Sequence, residues 1–233
     1  MATAHDRWLR IITALGAREG PEPTPAGMCS AAADLLAAGG VGLLVMAEGV
    51  PGAAFASNRM AEALEELQFT LGTGPRVDAH TFGVPIIECD LDAIPERWVG
   101  FCGPAVEAGT GAVFSFPLRI GAARLGAFTV YQLGSGPLQG GVYADAVVLA
   151  DVATRALLAA QAGLPAGSLA AGLADEGSFA ARVHQASGMV SAQLEVGVGE
   201  ALARLRARAF VDGTPLAAVA GEVVARRLRF DVR

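Results

Sequence analysis

Two short runs, Ala112–Arg119 and Leu125–Gln132, constrain this chain more than anything else in it. Both are rich in Val, Phe and Leu, and Gly121 lies between them. Such side chains suit a pleated surface buried on at least one face, and the glycine suits the turn that joins two such strands. The pair predicts an antiparallel hairpin, so the remaining elements have to be arranged around an antiparallel sheet.

Those elements alternate in period along the chain. Trp8, Ile11, Ile12 and Leu15 recur at helical spacing, and prolines 21, 23 and 25 within Gly20–Gly27 predict a break. Met28–Ala38 reads as a second helix, stopped by Gly39-Gly40. Val41, Leu43 and Val45 alternate as in a strand, and Phe55 falls in a second. Ser57 is placed to cap a helix through Met60, Leu64 and Leu67, which Gly72-Thr73-Gly74-Pro75 ends. Val84–Glu88 reads as a short strand and Arg97–Ala108 as a helix. After the hairpin come a loop, Gly134–Gly141, and a long helix, Val142–Gln161. The order predicts the α+β class: an antiparallel sheet with flanking helices over residues 8–162 and a small-residue linker over 163–178. An all-α module follows over 179–233. In it Phe179, Val183, Ala186, Val190 and Leu194 form one helix face, with Leu202, Leu205 and Ala209 on a second helix. Thr214 is placed to cap a third, whose face is Leu216, Val219, Val223 and Leu228.

Charge separates the same two regions. Residues 180–233 carry a net +3 and residues 1–179 a net −9. A basic module on an acidic body suggests that the tail meets a polyanion. All seventeen basic residues are arginine. A Walker A loop, a protein kinase and a pyridoxal enzyme each need a lysine, so those classes are excluded. Three scattered cysteines (Cys29, Cys89, Cys102) and three distant histidines form no ligand or acid–base constellation. The first fifteen residues are interrupted by Asp6, Arg7 and Arg10, and Gly141–Ala160 by Asp145, Asp151 and Arg155, so a cytoplasmic protein without a membrane span is expected.

At this point two resemblances become specific. Leu64-Glu65-Glu66-Leu67-Gln68-Phe69-Thr70-Leu71-Gly72-Thr73-Gly74-Pro75, with Ala112–Arg119 and Leu149–Thr154, resembles the GAF-type domains of actinobacterial two-domain regulators. Arg76 departs from the small residue such domains carry there. The second resemblance joins Gln185-Ala186-Ser187-Gly188-Met189-Val190 and Gln193 with Glu200-Ala201-Leu202, Leu205-Arg206 and Ala209-Phe210, then Leu216, Val219-Ala220 and Val223-Val224. It is similar to the ANTAR family of RNA-binding transcription antiterminators. Together they imply a GAF–ANTAR regulator whose partner is a paired stem-loop in nascent mRNA, and whose GAF-like domain answers a small-molecule or protein signal; the cofactor is unknown. Gly199 stands where the family has a polar cap.

The resemblance and the helical geometry together give the expected RNA contacts Ala186, Gln193, Arg204, Arg206, Arg208, Ala209 and Phe210. Arg206 lies four residues before Phe210, so the two can form a guanidinium–aromatic surface for an unstacked base. Arg226, Arg227 and Arg229 read equally as cations favoured at a helix C-terminus. In the body, Phe55, Trp98, Phe101, Phe114, Phe116 and Phe128 either line a ligand cavity or form plain core. Glu65 and Glu66 read as a solvated helix face. A non-catalytic regulator is expected, dimeric through the apolar surround of Val142–Gln161. A DNA-binding regulator and a purely dimerising tail remain open.

Overall fold

The computed structural model describes residues 4–19, 24–47, 50–94, 96–162 and 179–231. The expected linker, 163–178, and residues 20–23 of the expected break lie outside the described residues. The chain forms two compact units, Met1–Val45 with Phe55–Pro165 and Met46–Ala54 with Ala166–Arg233.

In element order the first part of the chain runs α1 (Ala4–Glu19), α2 (Pro25–Leu35), β1 (Gly40–Ala47), β2 (Val50–Ala56), α3 (Arg59–Leu71) and α4 (Pro75–Phe82). It continues through β3 (Ile86–Glu88), α5 (Cys102–Glu107), β4 (Ala112–Ile120), β5 (Ala123–Gln132) and α6 (Val142–Gln161). The sheet order is β2-β1-β5-β4-β3. The expected hairpin is present: β4 and β5 pair antiparallel from Ala112↔Gln132 to Ile120↔Ala123, which leaves Gly121 (φ +56°) and Ala122 as the turn. β1 pairs antiparallel with the other side of β5, and β3 with the other side of β4.

Strand alternation divides the sheet into two buried faces. Val41, Leu43, Phe114, Phe116, Phe128 and Val130 share one face. Phe116 meets Tyr143 of α6 there, ring centroids 5.6 Å apart. Gly40, Gly42, Val113, Ser115, Thr129 and Tyr131 share the other. Val113 and Tyr131 belong there to one core cluster with Ala61 and Leu64 of α3, Ala79 of α4, and Trp98 and Phe101.

Several element boundaries differ from the sequence reading, at α2 and α3 for a capping reason. α2 begins at Pro25 because Thr24 caps it, its Oγ1 accepting from Gly27 N at 3.1 Å, with proline in the first turn. Asn58, not Ser57, caps α3: its Oδ1 accepts from Ala61 N at 3.0 Å. Ser57 Oγ instead accepts from Val41 N at 2.9 Å. The Gly72–Pro75 stretch ends α3 at Gly72 in the left-handed conformation, but Pro75 at once starts α4, which the sequence reading missed. Of the helix expected over Arg97–Ala108, only Cys102–Glu107 is helical, with turns before it. α6 is less apolar all round than expected: Asp145 is buried and holds Arg7 and Arg10 (2.6 Å) of α1, while Tyr143 and Val147 are exposed.

The C-terminal module is the expected three-helix bundle: α7 (Phe179–Leu194), α8 (Val198–Asp212) and α9 (Leu216–Val224). Val183, Ala186, Val190, Leu202, Leu205, Ala209, Leu216, Val219 and Val223 fill its interior. Gly197 is the N-cap of α8, so Gly199 lies inside the first turn and is not the cap. Thr214 does not cap α9 either: Pro215 holds that position and makes no side-chain bond. Leu228 lies beyond the helix, which ends at Val224.

Candidate functional sites

Glu65 is where the structure departs furthest from expectation. It is 2% exposed, not solvated. Ala61, Glu65 and Gln68 step by four and three along α3, so all three lie on its inner face. Across from them, β1 has Gly42 at the point where any Cβ would collide with the Glu65 carboxylate. That missing side chain makes room for the acid.

The carboxylate is held from two sides. Glu65 Oε2 forms an ion pair with the guanidinium of Arg76, which is 1% exposed at the start of α4. Glu65 Oε1 accepts from the Tyr131 hydroxyl at 2.7 Å. Gln68 Nε2 donates to the same hydroxyl oxygen at 2.8 Å, and Gln68 Oε1 accepts from Arg76 N at 2.9 Å. Gly74, at φ +139°, lets the chain pass close to Gln68 on the way into α4. Three elements are therefore locked by one polar cluster, and next to it Ser115 and Thr129 share a hydroxyl–hydroxyl bond of 3.0 Å. Burial first, and then the Glu65 charge, push the Tyr131 phenol well above its usual range. Arg76 Nε is buried without a hydrogen-bond partner. The charges cancel inside the cluster and it holds no nucleophile, so its evident action is to fix α3 and α4 on the sheet.

The six aromatics do not line one cavity. Trp98 and Phe101 pack edge to face (6.4 Å) in the α3–α4 core, while Phe114, Phe116 and Phe128 lie on the opposite sheet face. Phe55 is half-buried. Trp98 Nε1 donates to Asp78 Oδ2 at 3.0 Å, and the Arg97 guanidinium sits 4.3 Å from the Trp98 ring. Only Phe128 touches a described cavity, with Leu15, Met28, Cys29, Leu43 and Leu149 among its neighbours. At about 10 Å³ it is barely the size of one water, too small for a signal molecule. Burial raises the thiols of Cys29 and Cys102, as expected of inert interior cysteines.

In the C-terminal module the expected contacts separate into three kinds. Ala186 (0% exposed) and Ala209 (3%) are interior packing residues and present no atom to a partner. Gln193 is half-buried, and its Oε1 accepts from Phe230 N at 2.9 Å, tying the chain end to α7. Arg204, Arg208 and Phe210 are exposed on α8, and Arg206 is half-buried. Arg204 pairs with Glu200 (3.1 Å) and Arg208 with Asp212 (2.6 Å), each one turn away on one flank. Phe210 is 87% exposed and Val211 79%. Arg206 lies one turn before Phe210 on the other flank. Phe210 and Val211 thus present two adjacent apolar side chains to solvent.

No helix among the described residues is long and apolar enough to cross a membrane. No protein-family model matches the chain, and no curated protein matches it in sequence. Solved structures do resemble it. The GAF domain of a Coxiella burnetii phosphoenolpyruvate-protein phosphotransferase matches with a TM-score of 0.54 at 17% identity, over 69% of this chain and 98% of its own. The GAF domain of an Acinetobacter phosphoenolpyruvate-protein phosphotransferase matches with a TM-score of 0.51 at 12% identity, over 70% and 98%. At these identities the likeness speaks to fold alone, and on that ground the N-terminal part of this chain has a GAF-like fold.

Proposed function

We propose that the chain is a cytoplasmic, non-catalytic sensory regulator that binds stem-loops of nascent mRNA through residues 179–233 and modulates transcription termination. The observation that carries the reading is Phe210, an almost fully exposed aromatic beside an arginine one turn away on a basic module. An aromatic face stacks on any unpaired base and an adjacent guanidinium adds charge and stacking, which suits RNA loops better than the edges of paired DNA. The resemblance of α7, α8 and α9 to ANTAR modules supports it, as does the GAF-like fold of the preceding domain. The protein acts as a homodimer, since paired loops call for two copies of the module and α6 has exposed Tyr143 and Val147 one turn apart.

The test is a gel shift with a tandem-hairpin RNA against duplex DNA of the same sequence. RNA-only binding supports the reading, and DNA-only binding replaces it with a helix-turn-helix-like regulator. A second reading draws on Val211, whose exposure next to Phe210 also suits a protein-docking ridge. Absence of any nucleic-acid binding, with dimers lost in Phe210→Ala, would favour that one.

A further inference from the structure

The arginines expected to contact RNA are not those whose charge the fold leaves open. Arg204 and Arg208 on α8 each face an acid one turn away, and Arg227 donates twice to Glu222, at 2.9 and 2.8 Å. Arg182, Arg226 and Arg229 are exposed and form no salt bridge among the described residues. These three come from the start of α7 and the turn after α9. The Arg182 stem crosses α9 at Gly221, its Cδ 3.8 Å from where a Cβ there would stand. Gly221 O accepts from Ala225 N at 2.9 Å, one residue before Arg226. The fold thus gathers unneutralised charge at the C-terminal end of α9.

Backbone hydrogen bonds hold that turn, and Arg226 and Arg229 on it are exposed. Arg227 N and Leu228 N both donate to Glu222 O, at 2.8 and 3.1 Å, and the Arg227 side chain returns to the same residue. Phe230 N is held by Gln193 Oε1 at 2.9 Å. Arg226 N donates to Val223 O at 2.9 Å, with Arg226 itself at φ +60°. Glycine is the residue that adopts this conformation freely, and it is the usual choice just after a helix. An arginine there carries steric strain that a glycine would not.

We propose that Arg226 and Arg229, with Arg182 beside them, form a second phosphate-contacting surface for RNA, distinct from the Arg206–Phe210 surface of α8. The proposal rests on the RNA-binding reading above. The surface is built for phosphate and not for a base: it has planar guanidinium donors on a fixed backbone and no exposed aromatic among the residues named. It adds affinity and orientation, while the α8 surface discriminates among loops.

The full chain is titrated with a two-hairpin RNA over a range of salt concentrations, beside Arg226→Gly, Arg229→Gln and Phe210→Ala. Each arginine substitution is expected to lower the magnitude of the log–log salt slope by about 0.7–0.9, a loss of roughly five- to eight-fold in affinity at about 0.1 M salt, equally for all loop sequences. Arg226→Gly carries a built-in check on folding. Relief of the left-handed arginine raises the folding equilibrium constant by roughly two- to five-fold, so this variant is more stable while it binds worse. Arg226→Gly and Arg229→Gln that bind with unchanged affinity and slope, while Phe210→Ala binds weakly, overturn this surface and leave the RNA reading intact. A wild-type chain that binds no RNA overturns both. Poly-L-glutamate serves as the second probe: its release by the arginine substitutions, with RNA binding unchanged, would assign the turn to an acidic protein and overturn the proposal.

Discussion

Glu65→Gln is the sharpest test of the buried cluster. The substitution keeps the side-chain shape but removes the only acid paired with the Arg76 guanidinium among the described residues, and Arg76 is 1% exposed. Removal of one partner from a buried pair typically costs about 3–5 kcal/mol, because the remaining charge is left uncompensated. Arg76→Met should cost a similar amount by stranding Glu65. The double change Glu65→Leu with Arg76→Met removes both charges. Its residual cost is that of the Tyr131 hydroxyl, which loses its acceptor but still accepts from Gln68, or about 1–3 kcal/mol. The double variant should therefore be more stable than either single. In urea titrations, with a slope of about 2 kcal/mol/M, each single lowers the midpoint by roughly 1.5–2.5 M and the double by roughly 0.5–1.5 M. The exposed pair Arg155–Asp151 is the control, and Asp151→Asn should leave the midpoint where it was. A double variant no more stable than Arg76→Met alone would show no coupling, and the buried-pair account would be wrong.

Tyr131 adds a pH signature. Its folded phenol is raised above the usual value of about 10, so above that pH the unfolded chain releases a proton that the folded chain keeps. Stability from this group is present below about pH 10 and falls by roughly 1.4 kcal/mol per pH unit above it; Tyr131→Phe should lose less stability than wild type between pH 10 and 11. In native protein treated with a thiol reagent, half-buried Cys89 should react first and buried Cys29 and Cys102 only on unfolding, and equal rates for all three would contradict the fold. Gly42→Ala should destabilise the chain by more than 2 kcal/mol in the same urea assay, since its methyl group would enter the space of the Glu65 carboxylate, and a neutral result would misplace that side chain. Phe210→Ala should leave the urea midpoint unchanged while weakening hairpin RNA by about 1–3 kcal/mol, and a folding defect would mean that the ring is not the exposed group described.

The sequence revealed the elements whose signal is periodic. The hairpin, α6 and the three C-terminal helices follow from alternation or 3–4 spacing, and those patterns are produced by burial itself. α4 was hidden because Gly72-Thr73-Gly74-Pro75 reads as a stop, while Pro75 in fact sits in the first turn of the next helix, where proline is favoured. Glu65 was hidden for a different reason. A carboxylate is assigned to solvent by default, and only its spacing from Ala61 and Gln68, together with an unexplained arginine eleven residues later, pointed inward. The aromatics failed as a set because composition counts rings without regard to sheet parity. Phe114 and Phe116 are two residues apart and share a face, whereas Trp98 and Phe101 reach the other face from a segment that is mostly turn.

Net charge was legible too, but not its distribution. A basic tail at +3 says nothing about which arginines carry the excess. Three of them lie within hydrogen-bonding range of Glu200, Asp212 and Glu222, and an arginine already paired in this way offers a phosphate less than an open one does. The same guanidinium chemistry accounts for Arg76. A planar fork that stays charged in any environment can be buried against a carboxylate, where an ammonium would more readily give up its proton. In a chain whose seventeen cations are all of this type, location decides the role. With Glu65 inside the sheet packing, arginine is a structural brace; with an acid one turn away on a helix, it is a mild stabiliser. Exposed and in no salt bridge among the described residues, as Arg226 and Arg229 are, it is open to a partner.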